Sequence, residues 1–194
     1  MFSNFQFSRT HIFLIIVIIM FVLFLIKAFA PIDQKDKTFK VTVTKNRTTI
    51  MNLDETPEPV STKTFYTDTI NYFSADDELT HVIYGPTGIA GEFYMEIEGK
   101  INVNKSQNYY FKINFDDGYR LTIDNILVGE FTEVSRGNIV EESIYLSEGQ
   151  HEINVKYFES YGPTALIIEY FSDDDERPVI MGINTRNIEF LKFF

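Results

Sequence analysis

An unbroken apolar run from Ile12 to Ile26, continued past Lys27 by Ala28, Phe29 and Ala30, dominates the start of the chain, and no later segment matches its density. Taken as a helix, residues 12–30 rise about 28 Å against a hydrocarbon core of about 30 Å, so the run predicts a single membrane span with Lys27 snorkelling to the interface. From Pro31 to Lys63 the chain is polar, with only Phe39 to Val43 alternating as a short strand and Pro57-Glu58-Pro59 favouring an extended backbone. That stretch reads as a stalk. From Thr64 onward the period becomes two: Phe93, Met95 and Ile97 alternate with Tyr94, Glu96 and Glu98, and Phe111, Ile113 and Phe115 with Lys112 and Asn114. Leu121/Ile123, Ile153/Val155/Tyr157 and Leu166/Ile168/Tyr170 repeat the pattern, with Gly, Asn and Asp clusters between runs. Short alternating runs without a sustained helical period predict an all-β fold, an antiparallel sandwich or barrel. The expected organisation is a short N-terminal segment (1–11), a signal-anchor helix (12–30), a stalk (31–63), a β domain (64–172) and an acidic then apolar C-terminal segment (173–194). The apolar end, Phe190 to Phe194, has two readings: a last strand paired back onto the sheet, or an exposed segment that inserts into a partner.

Charge sharpens this picture. The 194 residues carry a formal charge of -11, and because Met1 to Ala30 hold only Arg9 and Lys27 and no acid, the remainder carries 15 basic against 28 acidic residues, or -13. A field of that sign repels nucleic acid and anionic surfaces and favours cations, basic proteins or neutral ligands such as sugars. The absence of Cys removes disulfides, thiolate metal sites and a cysteine nucleophile. Ala28-Phe29-Ala30 has the small-x-small form of a signal cleavage site, but Pro31 directly after it lacks an ordinary amide, which favours an uncleaved anchor. The basic residues flanking the run, Arg9 before it and Lys35, Lys37 and Lys40 after it, do not by themselves set its orientation.

The most informative segment is Tyr109 to Asn125, YYFKINFDDGYRLTIDN, in which Asp116-Asp117-Gly118 separates two alternating strands. Asp-Gly in that setting is a hairpin signal, and Asp124-Asn125 makes a second tight turn by the same logic. Downstream lie Glu148 to Tyr157, EGQHEINVKY, and Gly162 to Tyr170, GPTALIIEY. In this order the three segments resemble the PA14 family, with Asn125 where a Gly is usual and Tyr170 where a Trp is common. The resemblance implies an accessory β module, here of a bacterial membrane-anchored kind, with a cytoplasmic N-terminus and the domain periplasmic or extracellular. It further implies that Asp116 and Asp117 match a pair which, in the PA14 domains of yeast cell-wall adhesins, is joined by a cis peptide and holds Ca²⁺ for sugar binding. A turn-forming role explains the same two residues without a metal.

No catalytic constellation accompanies these motifs. His11, His81 and His151 have no metal-ligand spacing, and the chain holds no nucleophile elbow, P-loop or dinucleotide fingerprint. His151 reads as a packed, hydrogen-bonded strand residue. Among the tyrosines, Tyr119 and Tyr161 adjoin turns and are the candidates for stacking on a sugar face. The expectation is a non-enzymatic binding module of the cell envelope that takes a glycan through Asp116, Asp117, Tyr119 and Tyr161. The alternative is a scaffolding component that docks onto envelope proteins through a sheet edge or its C-terminal segment.

Overall fold

The computed structural model describes residues 15–22 and 37–193, and the chain divides into two compact units, Met1–Asp33 and Gln34–Phe194. In the first unit residues 15–22 are helical. Among the described residues no helix is long and apolar enough to cross a membrane, and the rest of the predicted span lies outside them.

The second unit is a sandwich of two antiparallel sheets. The first sheet runs β2 (Pro59–Thr67), β1 (Phe39–Asn46), β6 (Phe93–Val103), β11 (Gly149–Glu159), β8 (Gly118–Ile123) and β9 (Ile126–Phe131), with β14 (Ile188–Leu191) also paired to β6. The second runs β10 (Asn138–Leu146), β7 (Gln107–Asp116), β12 (Thr164–Ser172), β3 (Asn71–Ser74), β4 (Glu78–His81) and β5 (Gly85–Ala90), with β13 (Val179–Ile180) paired to β12. Period-two burial follows the sequence alternation: Phe93, Met95, Ile97 and Phe111, Ile113, Phe115 turn inward and their neighbours outward. Aromatic residues supply much of the core, with Tyr72, Tyr109, Tyr119, Tyr157, Phe39, Phe111 and Phe115 fully buried.

One expected segment is corrected by this topology, and the C-terminal segment takes one of its two expected readings. The polar stretch 31–63 is no stalk throughout, because β1 lies within the first sheet between β2 and β6 and buries Phe39, Val41 and Val43. Its outward residues are Lys and Thr, so only three positions reveal a central strand. Phe39 lies so close to β6 that a Cβ on Gly99 would sit 2.5 Å from its ring, which explains a glycine inside that strand. The β domain therefore begins by residue 39 rather than at 64. At the other end, β14 pairs with β6, and Phe190, 5% exposed, packs edge-on against Phe39 and Tyr170. The apolar C-terminal segment is thus a strand of the sheet up to Leu191. The acidic run before it is tied down locally: Asp174 pairs with Lys105 and Arg186, and Asp175 Oδ2 accepts from Ser172 N at 2.8 Å and Oγ at 2.6 Å.

The Asp-Gly hairpin is also replaced. Strands β7 and β8 belong to different sheets, so Asp116-Asp117-Gly118 is the corner where the chain crosses between them. Gly118 is required there by close approach, since a Cβ would meet the Phe158 ring at 2.3 Å. The second turn stands as expected: Asp124 and Asn125, at φ 52° and 62°, link the paired strands β8 and β9.

Candidate functional site at one end of the sandwich

The β7–β8 corner shares one end of the sandwich with the loops that follow β9 and β11. The peptide between Asp116 and Asp117 is cis. Asp117 is 2% exposed and spans those two loops, accepting from Ser135 N at 3.0 Å through Oδ1 and from Ser160 N at 2.7 Å through Oδ2. Its carboxylate is a clamp, because losing it would orphan two loop amides at once. Asp116, half-buried beside it, makes no ion pair among the described residues, and neither does Asp117. Burial, followed by the charge of Asp117, pushes Asp116 up to about 6; burial also raises Asp117, against the pull of the Ser160 and Ser135 amides.

Beneath this pair is an acid that the sequence did not mark. Glu159, the last residue of β11, is fully buried, and burial together with the charges of Asp117 and Asp116 pushes it up to about 9. The Tyr157 hydroxyl donates to Glu159 Oε2 at 2.7 Å and also meets the carbonyl of Asp116. Among the described residues Ser160 Oγ is buried without a hydrogen-bond partner, and the buried Thr164 hydroxyl lies beside Glu159. Only the alternation of β11, which ends in three consecutive buried residues, hinted at this.

In kind, the pair fits a hard cation such as Ca²⁺: two adjacent carboxylates without cationic partners among the described residues, set among loop backbone and hydroxyl oxygens. No three His, Cys, Asp or Glu side chains among the described residues converge as a metal cluster, so the remaining ligands would be neutral oxygens. The two tyrosine candidates part company. Tyr161, 70% exposed, stands in the loop between β11 and β12 at the rim of the corner. Tyr119 is 1% exposed and packs inward against Phe115 at 4.6 Å, so it is a core residue and not a stacking platform. The reason is again the crossover, which turns the first alternating residue of β8 into the sandwich.

Elsewhere the chemistry is structural. His151 takes Asp124 at 2.6 Å through Nδ1 and donates from Nε2 to the Ser147 carbonyl at 2.8 Å, as expected of a packed strand residue. His81 is buried with Nδ1 accepting the amides of Ile83 and Tyr84, and burial lowers it below its ordinary value. A depression of about 610 Å³ on the outer face of the first sheet is lined by paired charges, Lys100 with Glu152, and Arg120, which reaches outside it to Asp54 and Glu130. We read it as a solvated face, since it lies on strands whose outward residues are already paired.

Comparison with known proteins agrees with this architecture. The PA14 domain of the antifreeze protein MpAFP aligns with a TM-score of 0.61 at 17% identity, covering 74% of this chain and 86% of that one. A PA14 sugar-binding domain from an RTX adhesin aligns at 0.58 and 17% identity, covering 75% and 94%. The A domain of epithelial adhesin 9 from Candida glabrata, in complex with Galβ1-3GlcNAc, aligns at 0.56 and 10% identity, covering 78% and 91%. No curated protein matches the chain. The PA14 domain model matches residues 37–181, beginning just before β1 and ending just after β13, and the chain is accordingly a member of the PA14 domain family.

Proposed function

We propose that this protein is a non-catalytic glycan-binding module displayed at the cell envelope, with its site at the β7–β8 corner. The observation that carries the reading is the adjacent pair Asp116 and Asp117, set among loops at one end of the sandwich without a cationic partner among the described residues. Two structures with the same fold are described as a sugar-binding domain and as an adhesin bound to Galβ1-3GlcNAc, which supports a sugar here. Asp116 and Asp117 would hold Ca²⁺, and when bound that ion supplies positive charge for sugar hydroxyl oxygens. The chain's own part is to position it: Asp117 locks the two flanking loops, Asp116 offers its free carboxylate, and exposed Tyr161 borders the opening. Display follows from the apolar run Ile12 to Ala30 as a signal anchor in a bacterial inner membrane, with the domain periplasmic or extracellular. Docking through a free apolar tail loses its basis, because β14 is already paired.

The test is thermal unfolding of the full chain with Ca²⁺, with chelator, and with Galβ1-3GlcNAc added to each, for the unmodified protein and Asp116→Asn. A ligand at 100 times its dissociation constant stabilises by about 2.7 kcal/mol, a shift of several degrees for a domain of this size. The expected result is a calcium-dependent shift, enlarged by sugar and lost in Asp116→Asn. A shift that survives the substitution moves the ion elsewhere, and no response to either ligand overturns the reading.

A further inference from the structure

Beside the corner, the outer face of the second sheet carries a built surface. Asp116, Ala165 and Phe73 stand side by side on β7, β12 and β3, and one step along the same face Asn114, Ile167 and Asn71 do so again. Their inward neighbours Phe115, Leu166 and Tyr72 are fully buried, which assigns all six positions to the outward face. Phe73 is 54% exposed, an unusual position for a phenylalanine in a strand with core-facing alternatives on either side. The side-chain amides of Asn71 and Asn114 have no hydrogen-bond partner among the described residues. The next row along the sheet closes the surface with the Lys112–Glu169 ion pair at 3.5 Å.

Resting on the glycan reading above, we infer that this surface is a second sugar subsite, which takes the neutral pyranose next to the one held at the Asp116–Asp117 corner. The argument is geometric and chemical. Two strand spacings of about 4.8 Å place Phe73 and Asp116 about 10 Å apart, with half-buried Ile167 and Ala165, 7% exposed, as the floor between them. An exposed aromatic ring offers an apolar plate for the C–H face of a sugar, while a primary amide can both donate to and accept from hydroxyls that an apolar plate leaves exposed. The exposed ring with the Asn71 amide beside it, and the Asn114 amide two strands away next to Asp116, supply both kinds of contact without breaking any bond of the fold. The residue is neutral because the chain beyond residue 30 carries a net charge of -13, to which an anionic sugar would add repulsion. The glycan then runs from the loop end onto the sheet face, and chain length of the ligand matters.

The test compares lactose, cellobiose and maltose with their methyl monoglycosides by saturation-transfer NMR and titration on the full chain, for wild type, Asp116→Asn, Phe73→Ala, Phe73→Tyr and Asn71→Ala. The expected result is that a disaccharide binds more tightly than its monoglycoside and that Phe73→Ala weakens the disaccharide about tenfold, equivalent to about 1.4 kcal/mol. Phe73→Tyr keeps the ring and the affinity, Asn71→Ala weakens the disaccharide, and the monoglycoside responds to none of them. Melting temperatures within a degree or two of wild type confirm that the exposed substitutions leave the fold intact. Disaccharide binding that is lost in Asp116→Asn but unchanged in Phe73→Ala overturns the subsite and leaves the corner reading standing. If none of these disaccharides binds the wild type, the subsite is overturned, while the corner reading is decided by its own test with Ca²⁺ and Galβ1-3GlcNAc.

Discussion

Glu159 shows how a single side chain sets a property of the whole site. Folded, it keeps its proton up to about pH 9, whereas its ordinary value is 4.5. Between those values the folded state binds more protons than the unfolded one, so stability is fully present below the lower value and is lost as pH rises toward the upper. Gln has the same shape and its side-chain oxygen can accept from Tyr157 as the acid does, but it cannot ionise in the unfolded chain. Glu159→Gln is therefore expected to melt near the wild-type temperature at about pH 5 and several degrees higher at about pH 8. Melting curves across that range check it, and a gap that fails to widen with pH would mean that Glu159 is ionised in the fold. Asp117 lies at the opposite extreme, since it works through two amide bonds rather than through its proton. The doublet of acids was legible in the sequence as a motif, but the division of labour within it was not. Which of two adjacent carboxylates meets loop amides and which meets solvent depends on the crossover at Gly118.

At the scale of elements, the first sheet is closed along one edge of β6 by strands from the two ends of the domain, β1 against its first half and β14 against its second. The domain is therefore stitched through its termini. Phe193 N donates to the Lys37 carbonyl at 2.8 Å, and Thr38 N donates to Thr67 O at 3.1 Å, so the first described residues of this unit are held by backbone bonds. A chain starting at Thr64 lacks β1 and exposes the core edge of β6, and it is expected to remain unfolded where one starting at Gln34 folds. Circular dichroism of the two fragments decides this, and a cooperative transition in the shorter one would show that β1 is dispensable. Phe190→Ala within the intact chain should cost about 3 to 5 kcal/mol, the usual range for emptying a buried aromatic site, read as a lowered denaturant midpoint. The alternation of β6 and β7 was plain from sequence because those strands carry five and four inward apolar residues, and β11 and β12, with three each, stand within the motif segments. Strand β1 carries three and was mistaken for part of a stalk, while β14 was open to two readings because four residues cannot declare their partner.

For the whole molecule, the charge of -13 beyond residue 30 selects partners before any contact is made. The protein is expected to pass unretained over a sulfated polysaccharide at low and at moderate salt, while any retention on a neutral polysaccharide should be nearly insensitive to salt. Retention on the sulfated matrix that strengthens as salt falls would contradict this. Period-two patterning determined that the domain is all-β, and the ordered motifs from Tyr109 to Tyr170 determined its family, because both signals are local along the chain. The tertiary structure alone decided the rest. Alternation states that neighbouring residues face opposite sides, but not which strand lies beside which or which sheet a strand joins. Tyr119 therefore looked like a rim residue until β8 was placed in the sheet opposite β7, and Phe73 carried no signal until β3 was aligned with Ala165, whose own partner is Asp116. Those neighbours are far apart in sequence, and only long-range strand register brings them onto one face.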